Sequence, residues 1–202
     1  MRFTVIDHSL IKRDLSILRE RNTPNSVFRE RTGRIAEVMA VEIFKQIEVE
    51  SYTLETTSGY RIKGHYVLAP VLRAGLGLLD GFLKFLPEAT VSHIGVSRDE
   101  VTHQPNYYYS NIPAKLQLSQ CFILDPMLAT GGSAIMAVDL LKKKGATKLT
   151  LVSVVAAPEG VNALSQVHPD VTIYAAALDR ELNSNKYILP GLGDAGDRMF
   201  GT

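Results

Sequence analysis

The chain contains a single cysteine, Cys121, among 202 residues, and its charges almost cancel, to a net charge of +1. One cysteine excludes an internal disulfide framework, and its apolar surroundings indicate a small core residue in a reducing compartment. A charge so close to zero gives no bulk attraction to nucleic acid or to a membrane surface. We therefore expect no nucleic-acid partner and no membrane partner.

Long apolar runs are missing as well, and no stretch is long enough to cross a bilayer. The first 21 residues carry charges throughout and lack the apolar region of a signal peptide. A cytoplasmic protein is the resulting expectation. Neither an internal repeat nor a low-complexity linker interrupts the chain. A composition of 46% hydrophobic and 21% charged residues favours one globular domain over residues 1–202.

The most informative stretch predicts a strand, a glycine-containing loop and a helix. An apolar run at 121–124 indicates a short buried strand. Apolar residues at helical spacing from 135 to 141, then three lysines and Gly145, indicate a helix and its end. This arrangement directs backbone N–H groups and the positive end of a helix at one place.

The loop in that stretch, residues 125–133, has the chemistry of a phosphate site, and we call it the phosphate loop. It begins with Asp125, which can hold ribose hydroxyl groups, and ends in Thr130-Gly-Gly-Ser133, which adds hydroxyl donors. No lysine follows the glycines, so a Walker P-loop is excluded, and the dinucleotide fingerprint Gly-x-Gly-x-x-Gly is missing. A singly attached phosphate fits best, while an ordinary strand-to-helix turn is the plain alternative.

Predicted strands alternate with helices or loops along the chain, which indicates an α/β fold with a central, mostly parallel sheet and helices on both faces. The core strands are expected at 66–72, 91–96, 121–124, 149–157 and 171–177. Ligands of such sheets bind beyond the carboxyl ends of the strands. Since Arg73, Arg98 and Asp125 follow the first three strands, we expect them at one site.

Two helices are expected before the sheet begins. The first runs through residues 11–18, which carry one apolar face. The second is expected to begin with Ser26 as its N-cap. Its arginines Arg29, Arg31 and Arg34 are expected on a solvated face, since spacing alone does not support an effector-anion site or a subunit contact.

Three segments stand apart from the sheet. Two-residue alternation predicts a β-hairpin arm at 49–63. Residues 97–113 are polar and rich in tyrosine, and we interpret them as a flexible flap that closes over the substrate. A surface hairpin is the alternative. Within this segment, His103 is not a strong candidate for a catalytic base. Residues 182–202, rich in glycine and proline, are called the hood below.

Three motifs in order resemble those of the uracil phosphoribosyltransferase family, within the type I phosphoribosyltransferases. They are Pro70-Val-Leu-Arg-Ala-Gly-Leu-Gly77, Asp125-Pro-Met-Leu-Ala-Thr-Gly-Gly-Ser133 and Tyr187-Ile-Leu-Pro-Gly-Leu-Gly-Asp-Ala-Gly-Asp-Arg198. The middle motif is similar to the loop that binds phosphoribosyl pyrophosphate (PRPP). Pro126 stands where most type I members have a second acid, a variant that resembles the uracil group. The resemblance covers nearly the whole chain.

The resemblance implies an enzyme that transfers the 5-phosphoribosyl group of PRPP to N1 of uracil, through an oxocarbenium-like transition state. The products would be UMP and pyrophosphate, in pyrimidine salvage. It also implies Mg²⁺ carried with PRPP and few direct protein ligands, a homo-oligomer of at least two subunits, and GTP as an effector. The sequence offers no dedicated cage of metal ligands.

The resemblance also assigns roles to individual residues. The expected catalytic residues are Arg73, Arg98, Asp125 and Asp194. The expected PRPP-binding residues are Arg73, Arg98, Asp125, Pro126, Met127, Leu128, Ala129, Thr130, Gly131, Gly132, Ser133 and Asp194. The expected uracil-binding residues are Ile188, Gly193, Asp194 and Ala195, and no residue is expected to be a metal ligand. A guanidinium such as that of Arg73 suits pyrophosphate because it can donate to two oxygens at once and stays charged. We expect Gly75 and Gly77, which have no side chain, to let pyrophosphate approach the nearby backbone closely.

Two other functions stay open at this point. A regulator on the same fold that binds RNA or DNA would want a basic face or an added segment, and the near-zero net charge argues against it. A purine phosphoribosyltransferase would share the PRPP loop, but the C-terminal motif resembles only the uracil group.

Overall fold

The structure is a computed structural model that describes residues 2–98, 105–114 and 116–202, with the backbone alone at Arg98 and Pro105. Its helices are α1 (Ser9–Arg19), α2 (Asn25–Phe44), α3 (Leu76–Leu83), α4 (Gly132–Lys143), α5 (Pro158–Val167) and α6 (Ala195–Phe200). Its strands are β1 (Phe3–Val5), β2 (Val49–Thr53), β3 (Ser58–Ile62), β4 (His65–Leu72), β5 (Thr90–Val91), β6 (Ile94–Arg98), β7 (Pro105–Ser110), β8 (Ser119–Leu124), β9 (Met127–Leu128), β10 (Lys148–Ala156), β11 (Thr172–Leu178), β12 (Glu181–Leu182) and β13 (Ile188–Leu189).

The central sheet has the strand order β1-β11-β10-β8-β4-β6-β7, with β5 beside β4 and β9 beside β10. Its pairings are parallel except that of β6 with β7. The middle strands are apolar along almost their whole length, and β10 is buried from Leu149 to Ala156 because both faces of the sheet are covered. The α/β fold class predicted from the sequence is confirmed.

Two apolar layers hold the sheet between helices. Adjacent residues of β8 show the division, since Phe122 and Ile123 are both buried but belong to opposite layers. Phe122 packs with Phe44 and Phe82 beneath α2 and α3, with ring centroids 5.4 and 6.4 Å away. Ile123 lies on the other face, in the layer that contains the buried residues of α4 and α5.

Several boundaries differ from the sequence prediction. The strand expected at 91–96 is divided into β5 and β6, because the N–H of His93 donates to the side chain of Asn111 at 2.6 Å instead of joining the ladder. Ser26 as an N-cap was wrong, since α2 begins at Asn25 and the carbonyl of Pro24 already accepts from the N–H of Phe28 at 2.8 Å. Strand β1 was missed because three residues are too few to show a period.

The expectation of a solvated arginine face on α2 holds for Arg29, which is exposed, but Arg31 and Arg34 are partly buried against α1. The carboxylate of Asp14 on α1 is only 3% exposed, and it lies 3.3 Å from Nε of Arg34 and 3.5 Å from Nη1 of Arg31. Arg13 adds a third guanidinium at 3.0 Å. Arg29 donates to the carbonyl of Met199 at 2.5 Å. Arg31 and Arg34 therefore join α2 to α1, because a buried carboxylate needs charged partners. Arg29 joins α2 to the hood.

The hood is tied to the body of the protein through a partly buried ion pair. Arg19, in the last turn of α1, donates to both carboxylate oxygens of Asp179, at 2.6 and 2.8 Å. Both side chains also bond to the backbone of Gly191, which donates to Asp179 at 2.9 Å and accepts from Arg19 at 2.8 Å. The Asp179 side chain is only 5% exposed, so this contact fixes the turn before α6.

A second arginine anchors the other end of the hood. The guanidinium of Arg198 lies 4.5 Å from the ring centroid of Phe28. It donates to the carbonyls of Glu20 at 2.6 Å, of Leu192 at 2.9 Å and of Leu18. Burial lowers the pKa of Arg198 from its ordinary value. The C-terminal segment is therefore docked on the end of α1 instead of being a frayed tail.

The β-arm, residues 49–63, is the antiparallel hairpin of β2 and β3, in which Val49 pairs with Ile62. It forms a sheet of its own beside the central sheet. In the part of the chain that the structure describes, none of the helices combines the length and the apolar character that crossing a membrane requires.

We predict that Cys121 is chemically inert in the folded protein. Its thiol is 0% exposed, and burial raises the pKa of this group to about 12. Because the thiolate is the reactive form, a thiol reagent at neutral pH should label the native protein very slowly and the denatured protein fully. Labelling of the native protein at the rate of a free thiol would contradict the burial of β8.

We also predict that Asp179→Asn loosens the hood. The change keeps the shape of the side chain and removes the charge opposite Arg19, so we expect a loss of about 1–3 kcal/mol in the free energy of unfolding, measured by urea denaturation. The matched control is Glu181→Gln, which removes the carboxylate of the exposed Arg180–Glu181 pair at 3.0 Å and should change little. Equal effects of the two variants would refute the anchoring role of Asp179.

Candidate active site

The carboxyl ends of β4 and β8 open into a cleft of about 470 Å³, the place where parallel sheets bind ligands. Among the residues predicted from the sequence, its lining contains Arg73, Asp125, Met127, Ser133, Asp194 and Ala195. It also contains Val96 just before the expected flap, Ser97 and Tyr108 within it, and Gly196 of the hood, none of which was named as a binding residue. The fold thus brings together residues from all three sequence motifs.

The phosphate loop is anchored on β10 by its backbone. The carbonyl of Pro126 accepts from the N–H groups of Val154 and Val155, both at 3.0 Å, and that of Leu128 accepts from Ala157 at 2.9 Å. The side chain of Leu128 is 1% exposed and belongs to the core. Pro126 and Leu128 therefore hold the loop in place, and any ligand contact of Leu128 would come from its backbone.

The turn into α4 needs a glycine at position 131 because of its backbone conformation and its close contact with α5. Gly131 has a φ of 87°, in the left-handed region, and a Cβ there would lie 3.1 Å from the carbonyl oxygen of Gly160. A Cβ on Gly160 itself would lie 2.5 Å from the carbonyl oxygen of Ala129. The first turn of α5 thus presses on the phosphate loop. The N–H of Ile135 makes the first helical bond, to Gly131 at 2.8 Å, so the N–H groups of residues 132–134 have no acceptor within α4.

Asp125 lies directly after β8 and lines the cleft. Its backbone N–H donates to the carbonyl of Val152 at 3.1 Å. One of its carboxylate oxygens accepts from the N–H of Met127 at 3.3 Å, which orients the half-buried side chain within the loop. Its position at a strand end is the one that the sequence indicated.

Arg73 lies in the turn between β4 and α3, with a side chain that is 52% exposed. Its Nη2 donates to Asp197 at 2.9 Å and its Nη1 to the hydroxyl of Thr202 at 3.1 Å. The glycines beside it have a role in the packing of the protein itself. A Cβ on Gly75 would lie 2.3 Å from the carbonyl oxygen of Leu124, and one on Gly77 would lie 2.5 Å from Sδ of Met199. These glycines let the turn pack on β8 and on α6.

The hood contributes the first turn of α6 to the cleft. Asp194 is the N-cap of α6, and its carboxylate accepts from the N–H of Asp197 at 2.9 Å. Asp194 and Ala195 line the cleft, whereas Gly193 and Ile188 are not part of its lining. Ile188 is 3% exposed and packs in the core beneath the hood. Of the four residues expected to bind uracil, Asp194 and Ala195 therefore line the cleft, and Ile188 and Gly193 lie outside its lining.

Strands β6 and β7 form an antiparallel hairpin at the rim of the cleft, and Arg98 pairs with Pro105. The side chain of Arg98 and residues 99–104, with His103 and part of the expected flap, lie outside the described residues. The three tyrosines of β7 are 44%, 54% and 47% exposed, as in the surface-hairpin alternative. A Cβ on Gly95 would lie 2.5 Å from the Tyr108 ring, so this ring covers Gly95 at the cleft.

Among the residues that the structure describes, the acids of the cleft lining are Asp125 and Asp194. Among the described residues, no group of three or more His, Cys, Asp or Glu side chains is placed to hold a metal ion. Carboxylate oxygens suit Mg²⁺, which needs six oxygen ligands. Two carboxylates fit a metal ion only if its other ligands come from a substrate and water.

Sequence reasoning missed several of the residues that support the site. Asp179 follows the end of β11, and an acid at a strand end is the same signal that identified Asp125. Gly160 lies in the first turn of α5, and a glycine inside a helix indicates a close approach of another backbone. The pairing of Arg73 with Asp197 had no local signal, because the two residues are 124 positions apart.

Comparisons with known proteins agree with this architecture. The chain is 53% identical to a uracil phosphoribosyltransferase of Latilactobacillus sakei, over 100% of this chain and 99% of that protein. The solved structure of the AQ2163 protein from Aquifex aeolicus has a TM-score of 0.91 at 32% identity, over 99% of this chain and 98% of that one. A hypoxanthine-guanine phosphoribosyltransferase from Bacillus anthracis shares the fold alone, with a TM-score of 0.52 at 13% identity over 77% and 80% of the two chains.

The family resemblance seen in the three motifs is confirmed over nearly the whole chain. The profile described as uracil phosphoribosyltransferase matches residues 5–202, which include the β-arm, the phosphate loop and the hood. With this match and the identity to curated relatives, the chain belongs to the uracil phosphoribosyltransferase family.

Proposed function

We propose that the cleft transfers the 5-phosphoribosyl group of PRPP to N1 of uracil and releases UMP and pyrophosphate, the activity of the family in pyrimidine salvage. One observation carries the proposal. A single cleft joins Asp125 and Ser133 of the phosphate loop, Arg73 and the first turn of the hood helix α6. The family membership of the chain supports uracil as the base.

The phosphate loop would bind the 5′-phosphate of PRPP. Its support is the start of α4, where the N–H groups of residues 132–134 have no acceptor within the helix and the helix dipole is positive. Ser133, which lines the cleft, adds a hydroxyl donor. Asp125 at the start of the loop would accept hydrogen bonds from the ribose hydroxyl groups. The ribose would then lie between α4 and the end of β8.

Arg73 would bind the pyrophosphate, which leaves as the bond to the ribose carbon C1 breaks. A guanidinium can donate to two oxygens at once, and it stabilises the negative charge that develops on the leaving group. Arg98 would be a second pyrophosphate ligand, an assignment that rests on the family motif. Asp194 would contact PRPP from the hood. The ribose becomes oxocarbenium-like, so the base must be held in line with C1.

Uracil would be recognised by backbone groups of the hood. It presents two carbonyl acceptors and one N3–H donor, which match backbone N–H and C=O groups. The first turn of α6, at Ala195 and Gly196, lines the cleft and is buried there. Ile188 would support the hood through its packing in the core. Gly193, with a φ of 78°, would set the direction of the chain before Asp194.

Magnesium would enter with PRPP, held mainly by substrate oxygens and water. Asp125 and Asp194, which line the described part of the cleft, would bind the water ligands of such an ion. When bound, the ion would neutralise charge on the pyrophosphate. No direct protein ligand is assigned.

A homo-oligomer of at least two subunits and GTP as an effector are further parts of the proposal. The β-arm supports an association between copies, because its hairpin exposes large apolar side chains. These are Val49, Tyr52, Leu54 and Tyr60, which are 43% to 70% exposed. The effector rests on the family resemblance alone. A cytoplasmic location agrees with the single reduced and buried cysteine.

We predict that Gly160→Ala weakens PRPP binding although Gly160 is not part of the cleft lining. The added Cβ would collide with the carbonyl oxygens of Ala129 and Leu128, at 2.5 and 2.8 Å, and would displace the phosphate loop. We expect the KM for PRPP to rise roughly tenfold. The control is Gly33→Ala in α2, where the Cβ meets nothing within 4 Å. If a folded Gly160→Ala variant binds PRPP with unchanged affinity, the proposal that this loop binds the 5′-phosphate is wrong.

The direct test of the function is an assay of a panel of bases with PRPP and magnesium. Uracil should be the efficient acceptor, and cytosine should have a kcat/KM lower by roughly a hundredfold or more. Cytosine replaces one acceptor with a donor and N3–H with an acceptor, and each mismatch costs roughly 1–3 kcal/mol. Preferred use of a purine would favour the purine alternative, and efficient use of cytosine would refute the account of the hood. Addition of GTP to the same assay tests the effector.

A further inference from the structure

The guanidinium of Arg73 is held by two residues of the hood that the three motifs left without a role in the reaction. Asp197 accepts from its Nη2 at 2.9 Å, and the hydroxyl oxygen of Thr202 accepts from its Nη1 at 3.1 Å. Thr202 in turn donates to the same oxygen of Asp197 at 3.2 Å. The three side chains form one closed network. A guanidinium has five N–H donors, so at least three stay free for a ligand.

The stability of the hood does not explain this network. The side chains of Arg73 and Asp197 are 52% and 51% exposed, and an ion pair exposed to that extent contributes little to folding. The hood already has less exposed anchors, in the Arg19–Asp179 pair, whose side chains are 24% and 5% exposed, and in the partly buried Arg198. The cap of α6 uses the backbone N–H of Asp197 and not its carboxylate.

The network joins the part of the cleft that would bind the base to the part that would bind pyrophosphate. Asp197 lies in the first turn of α6, next to Ala195 and Gly196, which line the cleft. A Cβ on Gly196 would lie 3.4 Å from Nη2 of Arg73, so the guanidinium packs directly against this turn. A displacement of that turn would therefore displace the guanidinium too.

We propose that Asp197 is a positioning residue, which orients the guanidinium of Arg73 toward the leaving pyrophosphate and couples that orientation to the base-binding turn of the hood. The inference rests on the proposed function. The long arginine side chain has many rotamers, and a partner that selects one of them reduces the entropy lost when the transition state forms. Thr202 supports the same orientation from the second nitrogen.

Asp197→Asn tests this inference, because it retains the size and the backbone contacts of the residue but weakens the hydrogen bond from Arg73 by removing the negative charge. We expect kcat to fall roughly ten- to a hundredfold, while the KM for uracil and the melting temperature stay close to those of the wild type. Arg29→Ala is the matched control. It removes the bond from α2 to the carbonyl of Met199 in the same helix without touching Arg73, so it should lower the melting temperature and leave kcat unchanged.

A double-mutant cycle separates positioning from a general effect on the hood. In an Arg73→Ala background, Asp197→Ala should cause no further loss of kcat, since the group that it orients is gone. Additive losses would overturn the inference. So would unchanged kcat in Asp197→Asn, or a tighter PRPP affinity in that variant, which would mean that Asp197 competes with pyrophosphate for Arg73.

The wild type in the same assay distinguishes this inference from the proposed function. If the wild type transfers phosphoribosyl groups to uracil and Asp197→Asn does so equally well, only the positioning role fails. If the wild type transfers no phosphoribosyl group to uracil, the proposed function fails and the positioning role fails with it.

Discussion

The parallel pairing of β8 with β4 on one side and with β10 on the other sets the position of the whole cleft. In that register Pro70 of β4 lies beside Leu124 of β8, which lies beside Val152 of β10. The turns that carry Arg73 and Asp125 leave the sheet immediately beyond these positions. Because all three strands run in the same direction, their turns emerge at one edge and face a common space. A shift of the pairing register by one residue would move the side chains of a strand to the opposite face of the sheet.

The hood depends on this sheet edge but is fastened by charge. Its anchors are the pairing of Arg19 with Asp179, the bonds of Arg198 to three carbonyls, and the exposed contact of Arg73 with Asp197. The first two are partly buried and give the hood its place on α1. The third is half exposed, and its arginine lines the cleft, which is why a role in the reaction accounts for it better than a role in folding.

Most of the local features of the fold could be predicted from the sequence. Alternation at 49–63 predicted the hairpin of β2 and β3, and the apolar run at 121–124 predicted the end of β8. Gly145, with a φ of 89°, ends α4 as expected. The arginines Arg31 and Arg34 were misjudged because their partner, Asp14, lies on another helix. The split of the strand at 91–96 was missed because it depends on the side chain of Asn111.

The sequence by itself determined most of the elements and the family, because periodicity, turn residues and motifs are signals between neighbours along the chain. Only the tertiary structure decided the partners of the charged side chains. Arg19 bonds to a residue 160 positions away and Arg73 to one 124 positions away. Such pairs follow from strand register and helix packing, which bring distant segments together after each has formed. The same packing showed why Gly160 must be glycine, since the backbone that it touches belongs to another loop.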